Sequence, residues 1–288
     1  MANKTEKLGV IGAGTMGAGI AQVAAQAGFE TLLYDIKQEF IDTGLGRIGS
    51  FLKGSRERGK ISAEEEKQIL DRLPSTTRLE DFAGTALVIE AAPERLDLKR
   101  DIFKQLDAIC GPETLLATNT SSFSVTAIAA SAQRPERVLG LHFFNPPPLM
   151  ALVEVIQGDR TTDATMERAT ALMRAIGKTP ARAKDTPGFI VNRIARPFYN
   201  ESLRILGDGG AAVETIDRIM KEAGNFRMGP FELMDLIGND INFAATESLY
   251  HSFFEDSRLR PSPIQQRMVM GGNLGRKTGR GFYVYAKK

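Results

Sequence analysis

Short β-rich runs alternate with helical stretches through the first half of the sequence. A glycine-rich turn follows the first run directly, and helical periodicity dominates beyond residue 187. These observations predict an α/β fold, in which a Rossmann-type doubly wound sheet is followed by an all-α C-terminal domain. The boundary falls between 1–187 and 188–288. In order, 8–11 reads as the first strand and 15–27 as a small-residue helix. Residues 31–34 read as a second strand ending in Asp35, and 38–73 as a long polar helical region. Strands follow at 86–90, 115–118, 138–141 and 152–156, with a charged helix at 96–109. Thr186 suits a helix N-cap and Pro187 a first turn, so a helix is expected to begin there and to bend at Pro197. Further helical patterns lie at 213–223, 230–254 and 264–270, before the aromatic ending Phe282-Tyr283-Val284-Tyr285. Of the apolar residues in this half, Phe226, Phe231, Leu233, Met234, Leu236, Ile237, Phe243, Phe253 and Phe254, most are expected in its core, with His251 structural.

Composition removes several function classes. Hydrophobic residues at 42% and charged residues at 25% are ordinary globular values and exclude a disordered chain. Lys+Arg 37 against Asp+Glu 35 leaves +2, too balanced for a general nucleic-acid binder. One cysteine, Cys110, and two histidines cannot form an intrachain disulfide or a Cys/His metal site. The sequence shows no signal peptide, transit peptide or apolar membrane span, so the cytoplasm is the expected location.

The motif Gly12-Ala13-Gly14-Thr15-Met16-Gly17 sits between the first strand and the first helix, the context that gives a GxGxxG match meaning. Gly12 permits a tight turn, Gly14 lets a pyrophosphate approach, Gly17 allows close helix packing, and the helix start offers free amides at Thr15 and Met16. Asp35 follows Gly12 by 23 residues and can accept hydrogen bonds from adenosine ribose hydroxyls. Its charge favours NAD over NADP, although Lys37 is close by. A ligand-free glycine turn, and an aspartate that only starts the next turn, are the competing readings.

His142 ends the strand 138–141, where open α/β sheets place ligands. The stiff segment Asn145-Pro146-Pro147-Pro148 would return the chain so that Glu154 meets the imidazole. Hydride removal from an alcohol carbon needs a base for the hydroxyl proton, and an unperturbed histidine pKa of about 6.5 suits that task. A carboxylate partner would fix the tautomer and stabilise the imidazolium. Taken singly, His142 reads equally as a satisfied core histidine, Asn119-Thr120-Ser121-Ser122 as a helix cap, and Asn192 as an interdomain hydrogen bond.

Taken together with Glu90-Ala91-Ala92-Pro93-Glu94, Leu141 through Pro146, Leu152-Val153-Glu154-Val155, Asp185 through Arg193, Gly229 through Asp235 and Leu274 through Tyr283, the chain resembles the L-3-hydroxyacyl-CoA dehydrogenase family over nearly its whole length. The resemblance implies that His142 is the general base, Glu154 its orienting partner, and Ser121 and Asn192 the groups that hold the substrate's C3 oxygen and thioester side. It implies that Asp35 binds the ribose, with Glu94, Lys99 and Asn119 near the nicotinamide half of NAD, and Ser121 and Asn145 in the same cofactor set. An acyl-CoA substrate follows, with 3-hydroxybutyryl-CoA and acetoacetyl-CoA favoured, as does a homodimer through the C-terminal domain; no nucleic acid, membrane or metal partner is implied. Because relatives cover the CoA with a helical arm after the position of Asp35, Ser50, Lys53 and Lys60 are candidate substrate contacts, though a charged run also suits a solvated helix face. Two rivals remain: a hydroxyacid or sugar-acid dehydrogenase that does not use CoA, and a protein that binds NAD without turnover.

Overall fold

A computed structural model describes residues 6–286, and the chain divides after Thr186 into two compact units. The first unit contains β1 (Leu8–Ile11), α1 (Thr15–Gln26), β2 (Thr31–Tyr34), α2 (Gln38–Glu57), α3 (Ala63–Asp71) and β3 (Ser75–Thr76). It continues with β4 (Leu87–Glu90), α4 (Leu96–Ile109), β5 (Leu115–Thr118), α5 (Val125–Ala129), β6 (Val138–Phe143), β7 (Leu152–Gln157), α6 (Asp163–Ala175) and β8 (Thr179–Lys184).

The eight strands form one sheet in the order β3-β2-β1-β4-β5-β6-β7-β8. Pairing is parallel from β3 to β6, antiparallel between β6 and β7, and parallel again between β7 and β8. Strands β1, β4, β5 and β6 are buried along their whole length. That burial explains why they read as continuous apolar runs instead of alternating ones. Side chains leave each strand for opposite faces. Val10 and Ile89 join Ile20, Ile41, Leu52 and Met173 on one side, while Ile11 and Val88 join Phe103, Leu106 and Ile128 on the other. The chain order reverses direction between β1 and β4, so the crevice at their carboxyl ends is where this architecture binds ligands.

Three segments depart from the sequence reading by more than two residues. The region 38–73 is two helices, because Ser62 starts α3 afresh through a capping box: its hydroxyl accepts the Glu65 N–H at 3.1 Å, and the Glu65 carboxylate accepts the Ser62 N–H at 2.7 Å. The helix expected at Thr186-Pro187 begins only at Val191, since Gly188 and Phe189 adopt φ of 74° and 48° and left-handed residues cannot continue a right-handed helix. The stretch 230–254 breaks at Gly238, whose φ is 104°.

The second unit consists of α7 (Val191–Gly207), α8 (Val213–Glu222), α9 (Pro230–Ile237), α10 (Asn239–Ser252) and α11 (Pro263–Met270). Tyr199, Leu203, Ile216, Phe231 and Met234 form its core. Two buried carboxylates organise its end. Asp217 accepts the Phe231 and Glu232 N–H groups, both at 2.9 Å, and the Tyr283 hydroxyl at 2.8 Å. Asp235 accepts the Phe282 and Tyr283 N–H groups, both at 3.0 Å. The expectation that most apolar residues here are core needs correction: Phe231, Met234 and Phe243 are buried, whereas Phe226, Leu236, Ile237 and Phe254 are exposed. Leu236 and Ile237 lie on α9, whose other face already gives Phe231 and Met234 to the small core. His251 is exposed as well.

Candidate active site

The glycine turn after β1 is shaped by space as much as by conformation. Gly12 has φ of 97°, and a Cβ there would lie 2.6 Å from the Ala91 carbonyl oxygen. A Cβ on Gly17 would come 1.7 Å from the Gly12 carbonyl oxygen, so only glycine lets α1 press against the turn it grows from. At Gly14 a Cβ would meet nothing within 4 Å, which leaves the backbone open to an approaching group. No side chain caps α1, so its first N–H groups, including those of Thr15 and Met16, remain available to an anion. The Asp35 carboxylate is fixed at the tip of β2: Oδ2 accepts the Ala13 N–H and Oδ1 the Ile36 N–H, both at 2.8 Å. A carboxylate has about four acceptor sites, so capacity for ribose hydroxyls remains. These residues fit a dinucleotide. Gly17→Ala is expected to weaken NADH binding more than tenfold and to lower stability by about 1–3 kcal/mol through overpacking. Fluorescence titration and thermal unfolding check this, and wild-type values in both would refute the packing argument.

A buried ionic cluster shapes the neighbouring edge. Lys99 is 1% exposed, and its Nζ lies 2.7 Å from Glu90 Oε1 and 3.2 Å from Glu94 Oε2. Thr118 donates to Glu90 Oε2 at 2.7 Å. Glu94 Oε1 in turn accepts from the Thr120 hydroxyl at 2.5 Å, the Ser122 hydroxyl at 2.8 Å and the Ser121 N–H at 3.2 Å. Burial pushes the Glu94 carboxyl up, but Lys99 and the Thr120 and Ser122 hydroxyls outweigh it and hold it below the usual carboxylate range. Glu94 therefore ties the loop carrying Ser121 to α4. Asn119 Oδ1 accepts the Phe143 N–H at 2.8 Å and so joins the ends of β5 and β6. Glu90 and Thr120 were not singled out as site residues; their signal was polar residues at the end of an apolar strand.

His142 and Glu154 are direct partners in the antiparallel β6/β7 register. The two-residue periodicity of a strand then puts both side chains on one face. Imidazole Nδ1 lies 2.6 Å from Glu154 Oε2, with Glu154 fully buried and His142 6% exposed. Phe144 packs on the imidazole at 4.6 Å between ring centroids. The returning segment is pinned by Lys178, whose buried ammonium donates to the Pro147 carbonyl at 2.6 Å and the Met150 carbonyl at 2.8 Å. Burial pushes the Lys178 pKa down. Nothing near Lys178 in the sequence signals this role.

The other expected residues are placed as follows. Ser121 and Asn145 are exposed on the segments after β5 and β6, and Asn192 lies in the first turn of α7 in the second unit. Ser50 and Lys53 are exposed one turn apart on α2, and Lys60 is exposed beyond its end. Arg47, overlooked in the charged run, donates to the Ala13 carbonyl at 3.5 Å. With Thr15, Gln22, Phe51 and Pro146 to Pro148 it lines a cavity of about 110 Å³ beside the glycine turn. Cys110 is buried, and burial pushes its thiol up, which suits an inert role. Among the described residues no group of three or more His, Cys, Asp or Glu could hold a metal, and no helix is long and apolar enough to cross a membrane.

A nucleotide cradle combined with an imidazole–carboxylate pair on one sheet marks the chain as a nicotinamide-dependent dehydrogenase. The family described as "3-hydroxyacyl-CoA dehydrogenase, NAD binding domain" matches residues 7–186, and "3-hydroxyacyl-CoA dehydrogenase, C-terminal domain" matches residues 188–285. The chain belongs to the 3-hydroxyacyl-CoA dehydrogenase family, and NAD is its cofactor. It is 50% identical over 278 residues to "3-hydroxyadipyl-CoA dehydrogenase" of Escherichia coli, covering 96% of this chain and 58% of that protein. It is 49% identical to "Probable 3-hydroxybutyryl-CoA dehydrogenase" of Deinococcus radiodurans, covering 97% of this chain and 100% of the relative. A crystal structure of 3-hydroxybutyryl-CoA dehydrogenase from Escherichia coli superposes with a TM-score of 0.96 at 49% identity, covering 100% of this chain and 61% of that one. The chain thus spans about three-fifths of two of these relatives and the full length of the third.

Proposed function

We propose that the protein interconverts an (S)-3-hydroxyacyl-CoA and the corresponding 3-ketoacyl-CoA with NAD(H), and that His142 is the acid–base group. 3-Hydroxybutyryl-CoA and acetoacetyl-CoA are the substrates that most of the relatives' names support. The observation that carries the reading is the 2.6 Å contact between His142 Nδ1 and Glu154 Oε2 on the sheet that bears the nucleotide cradle. With Nδ1 engaged, Nε2 is the atom assigned to the substrate hydroxyl proton. Gly12, Gly14, Thr15, Met16, Gly17 and Asp35 would hold NAD, which when bound would supply the hydride acceptor, and Glu94, Asn119, Ser121 and Asn145 would face its nicotinamide half. Lys99 acts through Glu94, since its own ammonium is buried between two carboxylates. His142 takes the hydroxyl proton during oxidation and returns it during reduction, while Glu154 keeps the ring oriented and offsets its charge. Ser121 and Asn192 hold the C3 oxygen and thioester side, and Ser50, Lys53 and Lys60 receive the CoA phosphates.

A steady-state assay of acetoacetyl-CoA and a longer 3-ketoacyl-CoA, with NADH and NADPH in parallel, tests this function. Turnover with NADH is expected, and none with either thioester would refute it. Asp35 opposes the extra phosphate of NADP by up to about 4 kcal/mol for one like-charge contact at about 4 Å and an effective dielectric of about 20. Asp35→Asn is therefore expected to lower the NADH-over-NADPH preference in kcat/KM at least tenfold; an unchanged preference would remove Asp35 from cofactor selection. A homodimer is also proposed, supported by exposed apolar side chains of the second unit such as Ile194 at 70% and Ile241 at 56%. A monomeric mass at micromolar concentration would reject it. A reducing cytoplasm suits a chain with one buried thiol.

A further inference from the structure

The helical unit carries a buried cation that the chemistry above does not use. Asn192, Arg196 and Asn200 recur every four residues on α7 and so share one face of it. Arg196 is 3% exposed. Its Nε donates to the Asn192 carbonyl at 3.2 Å, and its Nη1 donates to the Asn242 carbonyl at 2.9 Å and the Thr246 hydroxyl at 3.0 Å. Every one of these acceptors is neutral, the guanidinium carbon lies 4.9 Å from the centroid of the Tyr199 ring, and no carboxylate of the described residues pairs with it. The surroundings are polar beyond their own needs: Asn242 Nδ2 and Asn200 Oδ1 have no hydrogen-bond partner, although their residues are only 1% and 3% exposed. Burying an unpaired charge and unpaired amides is costly, and apolar residues of similar size often stabilise such a position. The cluster is better explained by a ligand that completes it than by the folding of this unit.

We propose that Arg196 is a specificity residue that receives a carboxylate at the far end of the acyl chain, so that dicarboxylic 3-hydroxyacyl-CoA thioesters are the preferred substrates. The inference rests on the dehydrogenase reading and on Asn192 as the group near the thioester. Arg196 lies four residues further along α7, about 6 Å at about 1.5 Å per residue. That distance matches the reach from the thioester carbon, C1, to the terminal carboxyl carbon of an extended six-carbon chain. A planar guanidinium suits a carboxylate because it can donate two parallel hydrogen bonds.

The test compares two six-carbon 3-ketoacyl-CoA substrates, one ending in a carboxylate and the other in a methyl group, with acetoacetyl-CoA as reference. The wild type is expected to favour the carboxylate in kcat/KM by on the order of 10², mostly through KM, because a site built for a polar group rejects an analogue that lacks it. Arg196→Met should bring the ratio near one, and Arg196→Lys should leave it intermediate. A wild-type ratio of one or less, with acetoacetyl-CoA turned over, overturns this inference alone. An unchanged ratio in Arg196→Met with both rates lowered assigns Arg196 to folding and also overturns it. If the methionine variant does not fold, the wild-type ratio and Arg196→Lys decide. No turnover of any of the three thioesters overturns the dehydrogenase reading itself.

Discussion

His142→Gln is expected to lower turnover of acetoacetyl-CoA by on the order of 10² to 10⁴ while NADH binding stays within a few-fold of wild type. The separation follows from position. His142 lies on β6, whereas the residues proposed to hold the pyrophosphate and the adenosine ribose lie at the ends of β1 and β2. Glutamine approximates the polar character of the ring but cannot carry the proton. The loss should therefore fall on kcat and kcat/KM together, as expected for an interaction made in the transition state. Stopped-flow turnover and a fluorescence titration of NADH on the same preparation read both quantities, and near wild-type turnover would dispose of the mechanism.

Glu154→Gln is expected to cost a large part of the same rate term, on the order of 10- to 10³-fold. The side chain is fully buried and its Oε2 is 2.6 Å from imidazole Nδ1. Neutralising it removes the charge that offsets a developing imidazolium, and it lets the amide present a donor to Nδ1, which favours the wrong tautomer. Because glutamine conserves volume, most of the effect should appear in rate and little in the thermal midpoint. A variant whose turnover stays within threefold of wild type would reduce Glu154 to a packing role.

Much of this was legible in the residues themselves. The strands buried on both faces announce themselves as apolar runs, and the glycine spacing followed by Asp35 needs no tertiary information. The imidazole–carboxylate pair was accessible because one stiff proline-rich turn joins consecutive strands, so pairing could be inferred from chain order. Other features were hidden for physical reasons. β8 is an edge strand containing Pro180, Arg182 and Lys184, where the sheet tolerates a missing donor and polar side chains erase the alternating pattern. The late start of α7 depends on a left-handed Phe189, which no local preference favours. Lys178 meets the Pro147 and Met150 carbonyls across a helix and a strand, and Arg196 meets Asn242 and Thr246 across 46 and 50 residues. Contacts of that kind follow from how elements pack, and a single sequence carries no trace of them.

The central claim is that one imidazole, oriented by Glu154, exchanges a proton with the oxygen on C3 of the thioester. A crystal structure of the protein with NAD and acetoacetyl-CoA tests it most directly. The expected result places the C3 oxygen about 2.6–3.2 Å from His142 Nε2, with Nδ1 still on Glu154. A C3 oxygen held by other groups out of reach of the imidazole, or a His142 turned away from Glu154 in the complex, would contradict the account.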